Sequence, residues 1–138
     1  MLKKLLLTLT LLLLCSNVTF ANEKRSPFLI VDMIPHMAMQ LKNNWDNEEL
    51  ALQEDQKIEL LKIRKETVSS VMPLKKLIAP LEKEVASKIL SGAKPNELTK
   101  LVEKVANYKI EATKTHLNCV YKTKQVLNTK QLKFLNDL

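Results

Sequence analysis

From Glu54 to Ser91 apolar residues recur every three or four positions, at Ile58, Leu61, Val68, Val71, Ile78, Leu81, Val85 and Ile89. That spacing predicts one stripe along an α-helix. Pro73 and Pro80 fall inside it. Each removes a backbone donor and crowds the carbonyl four residues earlier, which predicts kinks or a break. A second stripe runs through Leu98, Leu101, Val105, Tyr108, Ala112, Cys119 and Val126. It predicts a helix from Pro95 to about Val126, with Pro95 at the start, where its missing N–H is not needed.

Gly92, the only glycine in the chain, lies between the two stripes and predicts a helix C-cap. A shorter helix from Ile34 or Pro35 to Asn44 precedes them, and one carrying Leu132 and Phe134 follows. Alternation of the β type is nearly absent. The expected fold is all-α, with four helices. The two long ones are joined by a few residues and so form an antiparallel hairpin. Glu54 to Ser91 reaches ~57 Å at ~1.5 Å per residue. A hairpin of that length cannot bury both its sides alone, so it either dimerises or leaves apolar surface open.

The first 21 residues have a different character. Lys3 and Lys4 are followed by the apolar run Leu5 to Leu14, and Thr19-Phe20-Ala21 supplies the small residues a signal peptidase requires. The run is too short to span a bilayer. This predicts a leader cleaved after Ala21, an exported domain over residues 22–138, and no stable membrane anchor. Lipidation at Cys15 is the alternative, but Leu13 and Leu14 stand where a lipid-attachment site needs small residues. Loss of the leader lowers the net charge of +7 to +5. The lysines are scattered, which fits a solvated surface and no nucleic-acid partner. Cys119 is then the one remaining thiol, to be buried, paired with another chain, or held by a metal.

Two segments repeat a pattern just before a helix. Leu52-Gln53-Glu54-Asp55-Gln56 and Leu127-Asn128-Thr129-Lys130-Gln131 are both Leu-x-x-x-Gln. A cap residue followed three positions later by Gln is the arrangement of a capping box, with Asn128 a good cap and Gln53 a poor one. With an exported helical chain of this length, the pair resembles the periplasmic LTxxQ family of Spy/CpxP-like chaperones and zinc-resistance-associated or metal-sensing relatives. Gln53 and Asn128 stand where that family usually has Thr. The resemblance covers about Leu50 to Leu135. It implies a four-helix protomer, a cradle-shaped antiparallel homodimer, and ATP-independent binding of unfolded periplasmic proteins or of an envelope-stress sensor kinase.

The side chains with ligand chemistry are few. Met33, His36 and Met37 lie close together, and His116 precedes Cys119 by three, which places both on one side of a helix. Folding the chain back at its turns brings both groups to a similar level. Thioether, imidazole and thiolate together suit Cu(I), or Zn(II) if Cys119 ionises. Glu66 is a further oxygen candidate. Packing is the competing account, since Met fills irregular gaps and free Cys behaves as a small buried hydrophobe. In the metal-sensing relatives, the resemblance implies His-x3-His and His-x3-Met pairs. The corresponding positions here read His36-x3-Gln40 and His116-x3-Val120. No phosphate-binding glycine loop, nucleophile elbow or HExxH is present, so no enzyme is expected.

Overall fold

A computed structural model describes residues 26–137. The leader read at residues 1–21, Cys15 and the start of the domain at residue 22 lie outside them. Among the described residues there are four α-helices and no strand: α1 (Met37–Asn43), α2 (Glu54–Leu90), α3 (Thr99–Val126) and α4 (Thr129–Asn136). None of these helices is long and apolar enough to cross a membrane.

The first helix begins later than its sequence pattern predicts. His36 occupies the N-cap, so Pro35 stays outside α1. Pro95 does open a helical segment, but only one 3-10 turn, Pro95–Leu98, before α3 takes over. Neither Pro73 nor Pro80 breaks α2. They are seven residues apart, hence on one face, and both are exposed. The carbonyls they leave unpaired can be satisfied by water.

Gly92 ends α2 with φ +92°, a left-handed conformation that favours glycine. Its N–H bonds the Ile89 carbonyl at 3.1 Å and the Ala93 N–H bonds the Lys88 carbonyl at 3.0 Å. These two bonds make a Schellman motif. The chain then turns back along α2. Glu82 meets Lys109 at 2.7 Å, Glu66 meets Lys122 at 3.1 Å, and Gln56 meets the Val126 carbonyl at 2.9 Å. Rising numbers on one helix meet falling numbers on the other.

The core sits at one end of this pair. Met37 and Leu41 from α1, Leu50 and Leu52 before α2, Leu60 from α2, Leu127 before α4, and Leu135 from α4 form one buried cluster. Trp45, Val120, Val126, Leu132 and Phe134 pack around it. We call this end the base and the far ends of α2 and α3, about residues 75–105, the arm. Among the described residues, burial in the arm is shared by the two long helices and the 3-10 turn between them, whose Leu98 is buried.

Along α3 and the turn before it the predicted stripe faces α2: Leu98, Ala112 and Cys119 are buried and the others half-buried. Of the stripe predicted on α2, Val71 and Ile78 are buried, Leu81 and Val85 half-buried, and Ile58, Leu61, Val68 and Ile89 exposed, while Leu60 and Ile63 complete the buried row. α2 carries two apolar rows, and periodicity alone cannot tell which one meets a partner.

Candidate functional site

The Leu-x-x-x-Gln segments do more than start helices. At α4 the capping box is complete. Asn128 Oδ1 accepts from the Gln131 N–H at 2.9 Å, and Gln131 Oε1 accepts from the Asn128 N–H at 3.0 Å. At α2 the Gln56 Oε1 accepts from the Gln53 N–H at 3.0 Å, but Gln53 itself turns back and donates to the Ala51 carbonyl at 3.2 Å.

The two boxes then join. Gln56 and Gln131 exchange amide hydrogen bonds in both directions, each 2.9 Å. Each spends its other N–H on a backbone carbonyl, Val126 for Gln56 and Leu50 for Gln131, the latter at 3.1 Å. Every donor and both acceptor sites of the two carboxamides are thereby used, which is what a 3 % exposed Gln131 requires. Leu52 and Leu127, four residues before each glutamine, are buried in the same cluster. This clasp fixes the start of α2 to the start of α4.

The second constellation lies on α3. Ala112, His116, Cys119 and Thr123 recur at spacings of four and three on its buried face. A segment from Ser26 to His36 crosses that helix. Pro27 is buried, and the Leu29 N–H donates to Thr113 Oγ1 at 2.9 Å, whose own hydroxyl donates to the Lys109 carbonyl at 2.7 Å. Phe28 stacks on His116 with ring centroids 4.7 Å apart and planes at 26°; His36 stacks on it at 4.7 Å and 23°. Phe28 and His36 are 5.9 Å apart, so the three rings form a triangle.

His116 is buried, at 5 % exposure, and its Nδ1 has no hydrogen-bond partner. Burial holds its pKa below the ordinary imidazole value, and the neighbouring His36 lowers it further.

The hollow beside these rings has a volume of about 340 Å³. His36, Met37, His116 and Cys119 all line it, so the two groups read from the sequence do come together. Met33 does not line it; it is 84 % exposed on the segment ahead of α1. Glu66 is also elsewhere, beside Lys122, where it lines a polar hollow on α2 and α3. Cys119 is free and buried. Among the described residues, no group of three or more His, Cys, Asp and Glu is arranged to hold a metal ion.

Phe28 carries the stacking yet has no signal in the sequence, because one aromatic in an irregular segment has no period to betray it. A further feature is in the arm, where Leu77, Leu90 and Val102 are exposed on a stretch that carries exposed lysines 75, 76, 83, 88, 94, 100 and 104 and exposed glutamates 84, 97 and 103, with Lys88 paired to Glu84 at 3.4 Å. Compared with known proteins, the chain matches no family model, no curated protein and no solved structure.

Proposed function

We propose that the protein is an ATP-independent stress chaperone or adaptor of the periplasm. In this reading it holds unfolded or misfolded proteins, or an envelope-stress sensor kinase, against its two long helices without chemistry. The observation that carries it is the arm, where large apolar side chains lie open among charged side chains with lysine in excess over glutamate. Leu90 is 75 % exposed there. Apolar surface on a basic background attracts chains that have lost their own burial, and such contacts need no energy source to form or release.

The clasped Leu-x-x-x-Gln pair supports the resemblance to the LTxxQ family, and with it an antiparallel hairpin and a cradle-shaped homodimer. The leader read at residues 1–21 supports export. The test is aggregation of a chemically denatured client without ATP. Near-stoichiometric protein slows it, and a Leu77→Ser, Leu90→Ser, Val102→Ser variant does not. Unchanged aggregation with the wild-type protein defeats the reading.

A second reading is metal binding by His36, Met37, His116 and Cys119, with Cu(I) or Zn(II) as the ion. It is favoured by their shared hollow and by the unpartnered Nδ1 of His116. Imidazole lone pairs lie in the ring plane, so two rings inclined by only 23° and stacked face to face aim them side by side. His36 must turn before both reach one ion. Titration under reducing conditions decides the matter: equal affinity in the wild type and in a His116→Ala, Cys119→Ser variant excludes these ligands.

A further inference from the structure

Between α1 and the first half of α2 lie two hollows. The first is the 340 Å³ space beside the rings, walled by Met37, Val68 and Met72; the second, about 250 Å³, is walled by Leu41, Trp45 and Leu61. Ala38, Lys42 and Arg64 line both, so two cations stand on the divide. Among the described residues neither cation has an ion-pair partner within 4.0 Å, and no carboxylate lines either hollow. A groove that is apolar, then cationic, then apolar again suits an occupant with one carboxylate flanked by apolar side chains.

The chain itself displays such a segment. Residues 29–34 read Leu-Ile-Val-Asp-Met-Ile. Leu29, Ile30, Val31 and Met33 are all exposed, and Asp32 has no ion pair among the described residues. Asp32 also has φ +65°, a left-handed conformation that costs energy for a residue with a Cβ. Both ends are fastened to α3, by the Leu29 bond to Thr113 and the stacking of His36 on His116. The stretch between them offers its apolar side chains to a neighbour.

We infer that residues 29–34 of a second copy lie in this groove, with the Asp32 carboxylate between Lys42 and Arg64. A reciprocal exchange closes a two-fold dimer in which each protomer supplies both the segment and the groove. The inference rests on the dimeric form of the proposed function and not on its client binding.

Sedimentation velocity of the purified protein across micromolar concentrations tests it, with circular dichroism confirming that each variant is folded. The wild type sediments as a dimer. Asp32→Lys and Arg64→Asp each raise the dimer dissociation constant by about tenfold or more, because like charges then face each other. The double variant, Asp32→Lys with Arg64→Asp, recovers part of the lost affinity, because one opposite-charge pair is restored with its signs exchanged while Lys42 remains.

A wild type that stays monomeric overturns the inference, and so does a dimer indifferent to Asp32→Lys, which must use another face. A labelled peptide of residues 27–35 provides a further arm. A wild type that binds it while remaining monomeric would give the groove to client chains, again overturning the exchange. Because the arm variants are scored by aggregation and these by sedimentation, failure of one reading is distinguishable from failure of the other.

Discussion

The base and the arm are built from the same two helices, yet they solve burial differently. At the base, α1 and α4 close over α2 and α3, Leu50 reaches 0 % exposure, and a fully satisfied pair of carboxamides ties two helix starts together. In the arm, the Glu82–Lys109 ion pair crosses between α2 and α3, but among the described residues no further α-helix covers the apolar side chains beyond them. The difference teaches that one end buries its apolar side chains within the chain while the other leaves them in solvent. Stability follows burial, so it concentrates where four elements meet.

The largest effect expected from breaking this contrast is at Leu50. Leu50→Ala removes a wholly buried side chain and lowers stability by about 2–5 kcal/mol, read as a drop in the denaturation midpoint. Equal loss from Leu90→Ala would abolish the distinction between the ends. Next comes the clasp. Gln131→Ala leaves the Gln56 amide and the Leu50 carbonyl short of partners, at about 1–3 kcal/mol for each group left unsatisfied. A double-mutant cycle with Gln56→Ala then shows strong coupling, since the two substitutions remove one shared interaction.

A smaller effect belongs to acidity. His116 has a folded-state pKa below its ordinary 6.5, so the unfolded chain takes up a proton more readily. Its contribution to stability is complete above pH 6.5 and is lost as the pH falls below it. His36, Lys42, Arg64 and Cys119 line the same hollow, and no carboxylate among them can offset the charge that protonation adds. His116→Phe keeps the stack and flattens this part of the pH profile of melting temperature; an unchanged slope would assign the acid loss to other groups. The smallest change in stability is expected in the arm. Leu90→Ser shifts stability by about 0.5 kcal/mol or less, while weakening suppression of client aggregation.

Much of this organisation was legible from spacing alone. The two long helices, the turn at Gly92 and the positions of both glutamine boxes follow from period and cap chemistry, because these are local properties. Convergence of His36 with Cys119 was legible too, through counting residues back from the turns. Three things were not. The exposed row at Ile58, Leu61 and Val68 has the same period as the buried one, so only the packing of α1 and α3 distinguishes them. The late start of α1 goes with the segment from Ser26 to His36 ahead of it, where His36 stacks on His116 and sits at the N-cap just outside the helix. The mutual pairing of Gln56 and Gln131, 75 residues apart, is a tertiary event that a cap motif does not announce.

The neutrality of the clasp has a consequence of its own. Two carboxamides neither titrate nor gather counterions, whereas the contacts of Glu66 with Lys122 and Glu82 with Lys109 are charge pairs that dissolved ions weaken. Dissolved salt therefore acts unevenly on the molecule: it weakens the two charge pairs that link the long helices and leaves the bonds between the two carboxamides as they are.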